Sequence, residues 1–134
     1  MKINITSGDI LNSILTTKYP NELFIPFNEA MIKGDYHHKL FSDEFIQERS
    51  IVHNVTTFEY ISKLSLFLDF LKNIENYNEV VLWFGDEPFC KKNTSVVLET
   101  LEVYGYTQNI YLNIVDEVSG EIISSSLIKG KSND

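Results

Sequence analysis

The sequence predicts a single α/β domain of Rossmann-like type, with three layers in which helices cover both faces of a mainly parallel sheet. Residues 79–84 form a near-continuous apolar run of strand length, the pattern of a strand that is covered on both faces. Strand-like and helix-like segments also alternate with short turns between them, which is typical of parallel strands joined by right-handed crossovers. We expect this domain to span residues 1–129 and a polar tail to follow at 130–134.

The first half of the chain predicts two strands. Residues 2–6 alternate polar and apolar side chains, and the pattern breaks at Gly8, where a helix is expected to begin. Pro20 disfavours helix at the residue before it, so this helix ends near Tyr19. The elements expected in this half are a strand at 2–6, a helix at 10–19, a strand at 23–27, an exposed loop at 30–39 and a helix at 42–48.

The second half predicts one long helix, a buried strand and a terminal antiparallel hairpin. Thr56 or Thr57 is expected to cap the long helix, because an apolar stripe follows and continues to Ile74. Pro88 suits a first helical turn and Gly105 suits a helix end, so these two residues bound the next helix. The elements expected in this half are a helix at 56–74, a strand at 79–84, a helix at 88–104, a strand at 109–115 and an antiparallel edge strand at 121–128.

The charge balance disfavours nucleic acid and anionic lipid as partners. The chain has 19 acidic and 11 basic residues among its 134, which gives a net charge of -8 at pH 7. A surface of that sign repels phosphate backbones unless basic side chains gather locally. Nucleic-acid binding would therefore require the fold to collect the dispersed basic residues on one face, namely Lys33, Lys39, Arg49, Lys91 and Lys92.

Cysteine content and apolar runs indicate a cytoplasmic protein that does not enter a membrane. Cys90 is the only cysteine, so no internal disulfide forms, and a lone thiol suits a reducing compartment. The most apolar stretch, residues 61–74, is shorter than the ~20 residues that a membrane span requires. It also contains Lys63, Asp69 and Lys72.

Three blocks of the sequence, Ser7-Gly8-Asp9, Asn28-Glu29 with Gly34, and residues 82–93, carry a resemblance to a known family. In these blocks the chain resembles a bacterial family catalogued as domain of unknown function 1835. Its members have Gly-Asp near the amino terminus, Glu followed by Gly-Pro after the second strand, and a Leu-Trp-Phe strand that leads into an acidic helix start. The resemblance covers about residues 3–112, and it implies a Rossmann-like fold without an activity.

The chain departs from the family at two points. Asp35 follows Gly34 where the family has proline, and the chain stops before the extra carboxy-terminal region that members often have. Both departures weaken the transfer of any role from the family to these residues.

Acidic residues that directly follow predicted strands are the first candidates for a binding site. The carboxyl ends of parallel strands meet at one edge of the sheet, where open α/β sheets bind their ligands. Asp9, Glu29 and Asp86 are expected at that edge, and their carboxylates could hold Mg²⁺ or supply a general acid/base pair. Other residues in the same position are Asn28, Glu87, Asp116 and Glu117.

Two alternatives compete at the helix starts. Gly8 could let a phosphate approach the first helix, because glycine permits close backbone contact and free N–H groups favour anions. A dinucleotide fingerprint needs three glycines, however, and Asp9 would repel an anion. The second alternative is that Asp9, Asp86 and Glu87 only cap helices and complement their dipoles.

Glu29, Gly34 and Arg49 form the second group of candidates. Glu29 precedes a loop that contains Gly34, so its side chain could point into the crevice, or it could be a solvated loop acid. Arg49 is the only arginine and could clamp a carboxylate or phosphate; the alternative is an ordinary ion pair on a helix surface.

The remaining candidates lie near the apolar strand. Trp83 could floor a ligand pocket or pack in the core, and Asn93 could reach the crevice or lie at the core boundary. Cys90 is expected to be a buried, inert thiol. The histidines lack metal-ligand spacing and are expected on the surface, at His37, His38 and His53.

Two functional hypotheses follow. The first is a domain that binds a small ligand, either a nucleotide or a phosphorylated metabolite, with Asp9, Glu29 and Asp86 in the crevice. The second is a non-catalytic protein-interaction or regulatory module, because the sequence contains no complete catalytic constellation. In that case exposed aromatic residues such as Tyr104 and Tyr106 could mark a partner or homodimer contact.

Overall fold

The computed structural model describes residues 1–130, which form one five-stranded sheet with α-helices on both faces. Residues 131–134 of the predicted polar tail lie outside the described residues. The elements in chain order are β1 (Lys2–Thr6), α1 (Asp9–Lys18), β2 (Phe24–Pro26), α2 (Asp43–Val52), α3 (Thr57–Lys63), α4 (Ser65–Lys72), a 3-10 turn (Ile74–Asn76), β3 (Glu79–Phe84), α5 (Pro88–Val103), β4 (Asn109–Val115) and β5 (Ile122–Lys129).

The strand order is β2-β1-β3-β4-β5, which confirms the predicted fold class. The first four strands are parallel, and Ile5 of β1 lies opposite Ile25 of β2 and Leu82 of β3. β5 runs antiparallel to β4, as the sequence predicts. The connection that leaves β1 leads to β2 on one side, and the connection that leaves β3 leads to β4 on the other side. The topological switch point therefore lies between β1 and β3.

The two faces of the sheet are covered unequally. One face carries the larger core, in which Ile3, Ile5 and Leu82 pack against side chains from α2 through α5. The other face carries a smaller cluster, in which Leu11 and Leu15 of α1 pack on the sheet. All eight residues of β5 are exposed, so this strand lies outside both cores.

The predicted long helix at 56–74 is divided in the structure. Thr56 caps α3 with a capping box that includes Glu59, and the helix ends before Leu64. Leu64 has φ -108° and ψ 12°, which departs from helical geometry and separates α3 from α4. Tyr60 before the break and Phe67 after it are both buried in the larger core. The prediction of one helix was wrong because the apolar stripe continues across the break.

Four apolar or aromatic side chains lie elsewhere than the sequence predicts. Helical spacing predicts that Ile10 and Phe89 face inward, and Tyr104 and Tyr106 are expected to be exposed. Ile10 is exposed because the buried stripe of α1 runs through Leu11 and Leu15, and Phe89 is exposed at the start of α5. The expectation that Tyr104 and Tyr106 are exposed was wrong, because Tyr104 is half-buried and Tyr106 is buried. The Tyr104 hydroxyl donates to the Leu40 carbonyl oxygen at 2.7 Å, and Tyr106 is only 4% exposed.

No helix within residues 1–130 combines the length and the apolar character needed to cross a membrane.

The loop between β2 and α2 returns onto α2 through a tight contact at Gly34. This residue has φ +68°, a left-handed conformation that glycine adopts without strain. A Cβ at this position would lie 2.7 Å from Cγ1 of Val52. The sequence makes Gly34 a candidate ligand contact. In the structure Gly34 lies where the loop packs against Val52 of α2.

We expect Gly34→Ala to lower the free energy of unfolding by about 2–4 kcal/mol, from the left-handed backbone and from crowding against Val52. Gly105→Ala is the matched control, because Gly105 has φ +75° and no heavy atom within 4 Å of its added Cβ. The control should lose only the backbone part, about 1–2 kcal/mol. Urea unfolding measures both, and equal losses would contradict the contact with Val52.

Candidate functional site

A buried ion pair joins the loop after β2 to helix α2. The Nε and Nη2 atoms of Arg49 donate to the two carboxylate oxygens of Glu29, each at 3.0 Å. This is the bidentate geometry in which arginine and carboxylate interact most strongly. Both side chains are 0% exposed. The interpretations of Glu29 as a solvated loop acid and of Arg49 as a surface ion pair were therefore wrong.

Two further side chains complete this group, which we call the Glu29 cluster: Glu29, Arg49, His53 and Tyr60. The Tyr60 hydroxyl donates to Oε2 of Glu29, and Nε2 of His53 contacts Oε1, each at 2.5 Å. Nε2 of His53 also lies 3.2 Å from Nη2 of Arg49, but the shorter contact is with the carboxylate, which only accepts hydrogen bonds, and this favours a proton on Nε2. No hydrogen bond to Nδ1 of His53 is formed within residues 1–130.

The electrostatics of the Glu29 cluster keep its ion pair charged. Burial acts to raise the pKa of Glu29, but hydrogen bonds from Arg49 and Tyr60 and the charge of Arg49 lower it below its ordinary value. Burial acts to lower the pKa of Arg49, but the hydrogen bond and charge of Glu29 raise it. Burial and the neighbouring Glu29 charge both raise the pKa of Tyr60. Glu29 is thus an anion, Arg49 a cation and Tyr60 a neutral donor at neutral pH.

Asn93 fixes the backbone on which Glu29 is carried. Its side chain is fully buried, its Nδ2 atom donates to the Glu29 carbonyl oxygen at 2.7 Å, and its Oδ1 atom accepts from the Met31 N–H at 2.9 Å. Asn93 is not among the residues that line the nearby cleft. Asn93 therefore holds the loop after β2 in place through these two backbone hydrogen bonds.

A cleft of about 270 Å³ opens beside the Glu29 cluster at the carboxyl edge of the sheet. Its volume is close to the lower limit of pockets that bind small molecules, about 300 Å³. Segments that follow β1, β2 and β3 contribute to it, together with the end of α2 and with α3. The lining residues are Ser7, Phe27, Asn28, Glu29, Ala30, His53, Val55, Tyr60, Lys63 and Phe89.

Lys63 supplies the cleft with a positive charge. It is the last residue of α3, it is exposed, and it forms no ion pair with any residue in the range 1–130. Asn28 ties this region together, because its Nδ2 atom donates to the Lys63 carbonyl oxygen at 3.2 Å and to Oδ1 of Asp9 at 3.0 Å. Phe89, at 39% exposure, provides an apolar wall.

The switch point between β1 and β3 is occupied by the side chain of Glu117. Its carboxylate accepts hydrogen bonds from the Ser7 hydroxyl and, at 3.0 Å, from the Cys90 thiol. A Cβ on Gly85 would lie 2.6 Å from Oε1 of Glu117, so the carboxylate occupies space that a side chain at position 85 would take. The cleft beside the Glu29 cluster lies to the β2 side of this carboxylate. A second cleft, of about 690 Å³, opens at the start of α1, where Gly8, Asp9 and Glu117 are among its lining residues.

The three acids predicted to share one edge have different surroundings in the structure. Asp86 is exposed and its carboxylate lies 3.6 Å from Nζ of Lys91, while Asp9 bonds Asn28 and Glu29 is buried. Within residues 1–130, no group of three or more histidine, cysteine or acidic side chains could hold a metal ion. The described residues therefore lend no support to the predicted Mg²⁺ site.

The hydrogen-bonding part of the capping alternative was wrong, whereas Asp9 lies in the first turn of α1, where its charge complements the helix dipole as expected. Glu87 occupies the N-cap position of α5, but its side chain accepts no cap hydrogen bond. Asp9 is the first residue of α1, whose N-cap is Gly8, and no side chain caps this helix either. Gly8 has extended backbone with φ 163°, and a Cβ there would lie 3.6 Å from Oδ1 of Asn28.

Trp83 lies on the face of the sheet that α1 covers. Its ring packs against Tyr19 and Phe24 with centroid distances of 5.7 and 5.8 Å, and its Nε1 atom donates to Oδ1 of Asn4 at 2.9 Å. It is not among the residues lining the cleft. Of the two interpretations of this residue, core packing is the one that the structure supports.

The histidine predictions have mixed outcomes. His37 and His38 are exposed and both contact Glu48, as expected for surface residues. His53 is only 15% exposed at its side chain and belongs to the Glu29 cluster, so its surface assignment was wrong. The burial of Arg49 also removes it from any basic face that could bind nucleic acid.

His53, Tyr60 and Lys63 line the cleft but are not among the site residues that the sequence predicts. One signal was present, because Arg49 and His53 are four residues apart and therefore share a helix face. The sequence offered no sign that Tyr60 would place its hydroxyl against the same carboxylate.

Comparisons with protein-family models, with curated proteins and with solved structures find no match to this chain. The resemblance to the family of unknown function therefore stays a prediction, and a function must be argued from the cleft.

We expect Glu29→Gln to lower the free energy of unfolding by about 3–5 kcal/mol at pH 7, because the substitution leaves the buried Arg49 cation without its partner. The pKa of Glu29 is lower in the folded than in the unfolded protein. Its contribution is therefore present above the ordinary carboxyl pKa of 4.5 and is lost as the pH falls through the lowered folded value. Urea unfolding at several pH values measures this difference.

The matched control is Glu102→Gln, since Glu102 is exposed on α5 and should change stability by less than about 0.5 kcal/mol. A second check is the double variant Arg49→Met/Glu29→Gln. Its loss in free energy of unfolding should be smaller than the sum of the losses of the two single variants. A Glu29→Gln loss that is equal at pH 3 and pH 7 would contradict the lowered pKa.

We expect Cys90 to react with a thiol reagent at pH 8 only after the protein unfolds. Burial, with the hydrogen bond and charge of Glu117, raises the pKa of the Cys90 thiol to about 12, and the thiolate is the reactive form. Glu117→Gln removes that charge and should speed labelling of the native protein. Equal labelling rates for native and urea-unfolded protein would rule this environment out.

Proposed function

We propose that this protein binds a small anionic ligand, a nucleotide or a phosphorylated metabolite, in the cleft beside the Glu29 cluster. The observation that carries the proposal is Lys63, an exposed cation that has no ion-pair partner within residues 1–130 and that lines a cleft at the carboxyl edge of the sheet. On a chain of net charge -8, a cation left without a carboxylate beside a cleft favours an anionic ligand.

The charges around the cleft are compatible with an anion. Glu29 lines the cleft, but the bidentate bond from Arg49 offsets its negative charge. In the proposed complex, Lys63 binds the phosphate, and Nδ1 of His53 accepts a hydrogen bond from a ligand hydroxyl when the ring is neutral. The exposed ring of Phe89 contacts the apolar part of the ligand, such as the face of a base.

The size of the cleft narrows the ligand class. A volume of about 270 Å³ suits a sugar phosphate or a mononucleotide better than a dinucleotide. The absence of a three-glycine fingerprint at Ser7-Gly8-Asp9 agrees with this choice. We extend the proposal to a cytoplasmic location, which is supported by the single cysteine and its burial at Cys90.

The proposal is tested by thermal denaturation of the protein with nucleoside monophosphates and sugar phosphates, each compared with its unphosphorylated counterpart, with and without Mg²⁺. A ligand that binds the folded state raises the melting temperature by mass action. We expect phosphorylated compounds to raise it and Lys63→Gln to abolish the rise. Lys72→Gln is the matched control, because Lys72 is an exposed lysine at the last position of α4 as Lys63 is of α3.

A rise that persists in Lys63→Gln, or that is lost equally in Lys72→Gln, would place the ligand elsewhere. If no compound shifts a cooperative melting transition, the second hypothesis, a non-catalytic interaction or regulatory module, is favoured instead.

A further inference from the structure

β5 is a long edge strand, and no other strand within residues 1–130 pairs with its outer side. β5 ends the sheet, it pairs only with β4, and all eight of its residues are exposed. Four of them are large and apolar, with exposures of 46% for Ile122, 66% for Ile123, 56% for Leu127 and 43% for Ile128. Exposed strand edges of this kind recruit another strand unless charges, prolines or β-bulges block them. No charge or proline occurs between Ile122 and Ile128, and the two register shifts of β5 lie outside its centre at Ser124–Ser126.

The sequence of this segment is complementary to itself when two copies run antiparallel. In a two-fold register centred on Ser125, that residue lies opposite its own copy. The residues that then face one another across the axis are Ile122 and Ile128, Ile123 and Leu127, Ser124 and Ser126, and Glu121 and Lys129. Apolar residues thus meet apolar residues, and each end of the pairing places an acid opposite a base.

We propose that β5 pairs with β5 of a second copy of this chain, so that the two sheets join across a two-fold axis at Ser125. This goes beyond the ligand-binding function and does not depend on it. A symmetric dimer requires one patch that is complementary to itself, and the segment from Glu121 to Lys129 has that property.

Charge complementarity selects this register. A parallel pairing of two identical strands would place Glu121 beside Glu121 and Lys129 beside Lys129, and like charges opposite one another destabilise a sheet. The antiparallel register replaces both repulsions by attractions. Each copy carries a net charge of -8, so close approach is favoured where the flanking charges of the two copies cancel.

The local geometry leaves the centre of β5 suited to pairing. Ser124, Ser125 and Ser126 pair in regular register with β4, whereas the register shifts lie toward the two ends of β5. The Ser125 hydroxyl donates to Oδ1 of Asn113 within the same chain at 2.7 Å. Nζ of Lys129 donates to the Tyr106 carbonyl oxygen at 3.3 Å, and an ammonium group retains two further donors for Glu121 of the other copy.

The proposal is tested first by sedimentation equilibrium from micromolar to several hundred micromolar protein. We expect a monomer–dimer equilibrium for the unmodified chain, and a dissociation constant raised about tenfold or more by Glu121→Lys or by Lys129→Glu, because each places like charges at both ends of the pairing. The double substitution E121K/K129E exchanges the charges and should restore dimerisation. A chain that stays monomeric throughout, or a dimer that both single reversals leave unchanged, would overturn the proposal.

A second measurement tests the register directly. Ser125→Cys places two thiols opposite one another at the two-fold axis, where directly paired strand residues have Cα separations of about 4.5–5.5 Å, within the range that a disulfide spans. Mild oxidation should therefore give a covalent dimer. Ser119→Cys, an exposed position in the turn before β5, is the control and should not cross-link at a comparable rate. Cross-linking that is no faster at position 125 than at position 119 would exclude this register.

Discussion

The arrangement around the cleft depends on the burial of one ion pair, Glu29 with Arg49. Neither side chain reaches water, so the hydration that both lose must be replaced inside the protein. Arg49 meets this need through the carboxylate and the carbonyl oxygens of Ala30 and Asp35, each at 3.1 Å, and Glu29 through the additional contact with Tyr60. The satisfied pair therefore draws the loop after β2, helix α2 and helix α3 together at one end of the sheet.

Such a pair determines conformation more than it adds stability. A buried ion pair that is fully hydrogen-bonded contributes little compared with apolar residues of the same size, whereas the loss of one partner is costly. The location of the ion pair therefore indicates which part of the structure is held in one conformation. Glu29, His53 and Tyr60 all line the cleft, and Asn93 holds the backbone of Glu29 from the opposite side. The wall of the cleft thus has a defined shape without a ligand, and such a preformed wall would lose less entropy if a ligand bound.

The sequence predicted the sheet well because strand burial leaves a local pattern. β3 and β4 begin and end at the expected residues, since an apolar run or alternation is complete within a few positions. The break at Leu64 escaped prediction because periodicity does not register a change in the dihedral angles of one residue. The Glu29 cluster escaped it for another reason. Arg49 is 20 residues from Glu29 in sequence, and only the tertiary fold shows that both charges are buried.

The rule that ligands bind at the ends of parallel strands points to the edge where the cleft opens, but of the three predicted acids only Glu29 lines that cleft. Glu117 fills the switch point because Gly85 admits its carboxylate and because Ser7 and Cys90 can donate to it. A negative group at that position opposes an anion at the start of α1, where a phosphate would otherwise be favoured. The opposite charge in this region is Lys63, which lines the neighbouring cleft. An anionic ligand would therefore orient its phosphate toward the end of α3 and its uncharged part toward Phe89, away from Glu117.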